Sequence, residues 1–256
     1  MDRPSILVER DGRAATVTLN RPPLNILDIP TIARLGEVMD EISRDEGLQV
    51  VVLRGAGERA FSAGVAVQDH TPDKVGAMLE SLHGAIRHLR DLDAITVAAV
   101  HGHCLGGGME LAMACDLVIA TDDARFGQPE VDLGCFPPVA AALYPSRIGA
   151  GRTIELLVTG RPLTCREAEG LGLVTRCVAA GSLDKVVARF LEEAGGKSAA
   201  VTRLIKKAVR AGRDLGFSAA LEETERIYVG ELGRTEDMAE GVAAFLEKRR
   251  PVWRHR

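Results

Sequence analysis

Apolar and polar positions alternate near the N-terminus: Ser5 to Glu9 and Ala15 to Leu19 read as short strands, and Asp11-Gly12 between them predicts a tight hairpin turn. A turn-rich stretch, NRPPLNILD, then leads into a helical pattern from Ile29 to Arg44, in which Ile32, Leu35, Val38, Met39 and Ile42 share one face. Val50 to Leu53 is continuously apolar and β-branched, as expected of a strand covered on both sides. Further along, the spacing predicts a helix over Asp73 to Leu92, a buried strand over Thr96 to Val100, a helix over Gly107 to Cys115 and a strand over Leu117 to Ala120. Strands alternating with helices imply an α/β core with a sheet that is at least partly parallel.

After about Gly149 the strand signals nearly vanish. Helical patterns follow one another over Arg152 to Val158, Cys165 to Glu169, Leu183 to Ala194, Val201 to Ala211, Phe217 to Val229 and Thr235 to Arg249. There is no fixed-period repeat and no low-complexity linker, so the two regions are expected to pack against each other.

Composition narrows the class. With 256 residues, 46% of them hydrophobic, the chain can bury a large core, which argues against a disordered or collagen-like protein. A net charge of -4 with acidic and basic residues intermixed leaves no electrostatic footprint for nucleic acid. The N-terminus MDRPSILVERDG is charged where a signal peptide would be apolar, and no apolar run reaches the roughly 20 residues that span a bilayer. Five cysteines, an odd number in mostly apolar surroundings, fit a reducing cytoplasm better than a disulfide framework.

Two segments carry candidate chemistry. GHCLGGGMELAMACD (Gly102 to Asp116) follows a strand, runs through three consecutive glycines and enters a helix bearing Glu110. Glycines let backbone amides approach a ligand, and a helix N-terminus presents unpaired N–H groups, so an anion hole around Gly107 with a carboxylate one turn further on is one reading. A phosphate loop is a rival, although the spacing matches neither G-x-G-x-x-G nor a P-loop. Glu110 on its own is open to a second reading as a solvated helix residue, but Gly106, Gly107, Met113 and Ala114 at three and four positions away do not make a solvent-facing stripe. FGQPEVDLGCFPP (Phe126 to Pro138) places Glu130 directly after a proline in a stretch that reads as irregular; taken alone, a surface acid is the commoner reading there.

Four strings, FSAGVAV (Phe61 to Val67), GHCLGGGMELAMACD, ARFGQPEVDLG (Ala124 to Gly134) and the closing GVAAFLEKRRPVW, resemble the enoyl-CoA hydratase/isomerase, or crotonase, family in order and spacing, and the likeness covers essentially the whole chain. The resemblance implies an α/β fold: a repeated ββα spiral core over residues 1–195 and a helical C-terminal portion over 196–256 that builds trimers or dimers of trimers. It implies an acyl-CoA thioester as substrate, with CoA belonging to the substrate and neither cofactor nor metal required. By the same likeness the backbone N–H groups of Val65 and Gly107 form the oxyanion hole, Glu110 deprotonates water and Glu130 delivers a proton. The Ala63 to Val65 backbone would lie on the CoA side, and Phe245 with Lys248 would reach CoA from a neighbouring subunit, although EKRR read by itself is a solvated helix end. Having both acids favours hydration, because two carboxylates in one dry site separate into a base and an acid.

Two departures change the expectation. Ala66 stands where most members of the family carry Asp, removing a local hydrogen-bonding or capping group. FPPVAAALYP (Phe136 to Pro145) replaces a glycine-rich run beside the acyl pocket, so Phe136, Pro138 and Val139 are expected to shape a different pocket wall. HCLGGGMELA combined with FPPVAA resembles the branch that hydrates cyclic dienoyl-CoA thioesters; a linear 2-enoyl-CoA hydratase, an isomerase or ring-cleaving enzyme on the same site, and a non-catalytic or RNA-binding relative are the alternatives. His101, His103 and Cys104 could suggest zinc, but they alternate along an extended chain without a companion cluster, and turn packing is the simpler reading.

Overall fold

The computed structural model describes residues 3–213 and 215–256. Strands β1 (Ile6–Asp11) and β2 (Ala14–Leu19) form the expected antiparallel hairpin. Its turn falls one residue later than the sequence suggested, at Gly12-Arg13, because Gly12 takes the positive φ of 55° that the tight reversal needs. Helix α1 (Ile29–Ser43) starts where Asp28 accepts a hydrogen bond from the Thr31 N–H at 3.0 Å, with Pro30 in the first turn. Its apolar stripe, Ile32, Leu35, Val38, Met39 and Ile42, is fully buried.

The next segments repeat one plan three times. Strand β3 (Val50–Gly55) is followed by β4 (Ala60–Ser62) and helix α2 (Val75–Asp91); β5 (Ile95–Val100) by β6 (His103–Leu105) and α3 (Gly107–Ala114); β7 (Leu117–Thr121) by β8 (Arg125–Gly127) and α4 (Pro138–Leu143). In each unit the first strand joins one sheet and the second strand joins another. The result is a spiral of ββα units, as the resemblance implied.

Short helices α5 (Pro145–Ile148) and α6 (Ala150–Thr159) lead to β9 (Leu163–Thr164), α7 (Cys165–Leu171) and β10 (Arg176–Val178), and the chain closes with α8 (Leu183–Gly195), α9 (Ala199–Gly212), α10 (Phe217–Gly230) and α11 (Glu236–Leu246). The larger sheet has the order β1-β2-β3-β5-β7-β10, parallel beyond the hairpin; the smaller has the order β4-β6-β8-β9. The expectation that strands end near Gly149 is corrected by β9 and β10, two- and three-residue strands too short to leave a periodic signal. β10 nevertheless completes an edge of the larger sheet against β7.

Period-two alternation explains how β3 is covered on both sides. Val51 and Leu53 join the main core with Ile32, Leu35, Phe61 and Met109, whereas Val50 and Val52 face a second cluster with Val97, Ile119, Leu183 and Val187. The same alternation separates the supposed zinc residues, since Cys104 is buried in the core while the adjacent His103 is exposed. All five cysteines are free thiols. No helix among the described residues is long and apolar enough to cross a membrane.

Candidate active site

The three glycines before Glu110 are each pressed against a different neighbour. Gly106 has φ 52°, and a Cβ there would lie 2.8 Å from the Glu130 Oε1. A Cβ on Gly107 would meet Val65 Cγ2 at 2.7 Å, and one on Gly108 would meet Ser62 at 2.7 Å. Any side chain on this turn would therefore push apart the segments that build the site.

Two backbone amides face the resulting gap. The Leu27 N–H donates to the Gly64 carbonyl and the Ala66 N–H donates to the Leu27 carbonyl, both at 3.0 Å. Because C=O and N–H point oppositely across a trans peptide, the Val65 N–H is directed away from Leu27. Gly107 is the first residue of α3, and the Gly106 carbonyl accepts from the Glu110 N–H at 3.0 Å, so the Gly107 N–H points out of the helix. Neither amide has a protein acceptor among the described residues. The two turns are in contact: a Cβ on Gly64 would lie 3.6 Å from the Gly107 nitrogen.

Glu110 is 2% exposed. Its Oε1 accepts from the Ala140 N–H at 2.9 Å, and the Val139 backbone adds a second interaction. Both amides belong to the first turn of α4, where Pro138 has no N–H to compete. Burial raises the Glu110 pKa to about 7, against the smaller lowering from these amides. Glu130 lies on a 3-10 turn, Pro129–Leu133, rather than in irregular chain, and Gly134 in the left-handed region closes that turn. Its pKa is likewise raised to about 7, by burial first and then by the charge of Glu110, with its own backbone N–H opposing.

Both carboxylates, both amides, Ala63 and Gly106 line one cavity of about 410 Å³. This is the size of a small-molecule site. Helix α2 supplies an apolar wall through Val75, Met78, Leu79 and Leu82, and Phe136, Pro137 and Pro138 supply the opposite one. The α2 wall was not singled out from the sequence, although Val75, Met78, Leu79 and Leu82 stand at i, i+3, i+4 and i+7, the spacing of one helix face.

Other expected site residues lie elsewhere. The Val139 side chain does not line this cavity; it lines a separate hollow of about 290 Å³ behind Pro138, and only its backbone serves the site. The reason is helical: Pro138 and Val139 are successive residues of α4 and face different sides. Phe245, 82% exposed, and Lys248 do not line the cavity of their own chain. Near Ala66 the carboxylate is supplied by Asp69, which accepts from the Ile29 N–H at 3.1 Å at the start of α1.

The enoyl-CoA hydratase/isomerase family model matches residues 9–256. Cyclohexa-1,5-dienecarbonyl-CoA hydratase from Thauera aromatica is 36% identical over 252 residues, covering 98% of this chain and 96% of that protein. Short-chain-enoyl-CoA hydratase from Clostridium acetobutylicum is 34% identical, covering 98% of this chain and 97% of its own. The crystal structure of enoyl-CoA hydratase from Bacillus anthracis superposes with a TM-score of 0.92 at 30% identity, covering 98% of this chain and all of that one. The chain belongs to the enoyl-CoA hydratase/isomerase family and has its crotonase fold.

Proposed function

We propose that this protein adds water to a conjugated acyl-CoA thioester, with a cyclic dienoyl thioester as its preferred substrate. The observation that carries the reading is two carboxylates, both raised to about 7, lining one cavity with two unpaired backbone amides. The thioester carbonyl oxygen would lie between the Val65 and Gly107 N–H groups, which stabilise negative charge on it as water adds; each such donor contributes about 3–4 kcal/mol. Ionised Glu110 takes a proton from water as its oxygen bonds to the β-carbon. Protonated Glu130 gives its proton to the carbon carrying the developing negative charge, the α-carbon in a simple enoyl thioester. Return of one proton from Glu110 to Glu130 through solvent restores both groups.

The preference for a ring rests on the rigid Phe136-Pro137-Pro138 wall and on the likeness to the Thauera protein. CoA would run along Ala63 to Val65. Phe245 and Lys248, exposed on their own chain, suit contact with CoA in a neighbouring subunit of a trimer or a dimer of trimers built through the helical C-terminal portion. No cofactor beyond the substrate's own CoA is required. The test compares turnover of cyclohexa-1,5-diene-1-carbonyl-CoA with that of crotonyl-CoA by the purified protein. A higher kcat/KM on the cyclic thioester is expected; faster hydration of the linear one would overturn the ring preference.

A further inference from the structure

Directly behind the cavity, Gln128 and Tyr144 are completely buried and in contact. Only one orientation of the Gln128 amide satisfies both of its ends. In that orientation its Oε1 accepts from the Tyr144 hydroxyl at 2.7 Å, while its Nε2 lies 3.1 and 3.2 Å from the two Glu130 carboxylate oxygens and 3.3 Å from the Gly106 carbonyl. With Glu130 ionised, the reverse orientation would set the amide oxygen against the carboxylate and the carbonyl, all three acceptors.

We propose that Tyr144 is a positioning residue, whose hydroxyl locks the Gln128 amide so that one N–H₂ group holds both the Glu130 carboxylate and the Gly106–Gly107 peptide. That peptide carries the Gly107 N–H on its other side, so a single amide aligns the acid and one of the two amides facing the cavity. Drawing on the Gly106 carbonyl also polarises the peptide and sharpens its N–H as a donor. Tyr144 is suited to the task because burial and the neighbouring Glu110 push its phenol well above its ordinary pKa, keeping it a neutral O–H donor. It follows α4, whose first turn holds Glu110, so one short helix fixes both carboxylates by different means.

An amide N–H donated to a carboxylate favours the charged form, so loss of the lock should raise the proton affinity of Glu130. The role of the acid rests on the hydratase reading, but the test does not need turnover. Full-length protein carrying ¹³C-labelled glutamate is titrated by NMR without substrate, with the two signals assigned from Glu110→Gln and Glu130→Gln. Tyr144→Phe keeps the buried ring and deletes only the hydroxyl; Gln128→Leu removes the amide. The expected result is an upward move of the Glu130 midpoint by about one pH unit in Gln128→Leu, tenfold in proton affinity. In Tyr144→Phe the move is smaller and in the same direction, and in both variants it exceeds any move of Glu110. A Glu130 midpoint that stays put in Tyr144→Phe, or moves no more than that of Glu110, would overturn the proposal. A protein that titrates as expected but hydrates no thioester would overturn the hydratase reading instead.

Discussion

Helix α3 has a carboxylate near each end, Glu110 buried and Asp116 half-buried, and the two are electrostatic opposites. Glu110, in its first turn, meets two backbone amides and an apolar cavity but no cation among the described residues, and burial raises its pKa to about 7. Asp116, just past its last turn, is pushed up by burial as well, but there Lys206, the Thr96 backbone and Arg210 outweigh burial and hold it below its ordinary value. Lys206 Nζ lies 2.7 Å and Arg210 2.9 Å from its oxygens, and the Thr96 hydroxyl donates at 2.9 Å. Burial alone therefore does not decide what a carboxylate is for. The partners do: Asp116 ties α9 to the sheet, while Glu110 is left able to exchange a proton near neutrality.

The sharpest way to break this contrast is to remove each charge and see what fails. Glu110→Gln and Glu130→Gln should each lower kcat by roughly 100- to 10,000-fold while the protein stays folded, as steady-state kinetics and circular dichroism would show. Asp116→Ala should do the reverse, leaving Lys206 buried without its anion at a cost of about 3 kcal/mol in denaturant unfolding. Because the folded pKa of Asp116 is depressed, its stabilisation is present above the ordinary value of 3.8 and is lost as pH falls through the folded value.

The sign is opposite for Glu110. Its folded pKa is raised, so its contribution is complete below the ordinary 4.5 and is lost as pH rises through about 7. Glu110→Gln should accordingly stabilise the fold by up to about 3 kcal/mol well above neutrality and by little below the ordinary glutamate value, measured as melting temperature against pH. Gly106→Ala, which forces a side chain toward Glu130 at φ 52°, should cost roughly 1–3 kcal/mol of stability together with activity. Val139→Ala should be the mildest change, costing about 1 kcal/mol and leaving the choice between acyl groups unaltered, because that side chain lies outside the cavity.

The sequence made these regions legible to different degrees. Strands of five or six residues such as β3 and β5 announced themselves by β-branched runs, and α1 by its apolar stripe. The three-residue strands β4, β6 and β8 are too short for any period, yet the smaller sheet they form sets the turns of the site. Glu110, Glu130, Val65 and Gly107 were singled out through their motifs, and the structure brings all four to one cavity. Val139 was expected on the wall of the same cavity, but a proline-rich string does not reveal which hollow each side chain of a short helix lines. Gln128 and Tyr144 gave no signal at all: a glutamine and a tyrosine sixteen residues apart acquire meaning only when folding buries both against Glu130.

The most direct test of one site dividing its two carboxylates into base and acid is the pH dependence of kcat/KM for thioester hydration. The expected profile is a bell with its maximum near neutrality, falling on the acid side as Glu110 gains a proton and on the alkaline side as Glu130 loses one, the two apparent values belonging to the pair. A rate that runs flat through the neutral range, or that falls on one side only, would contradict it.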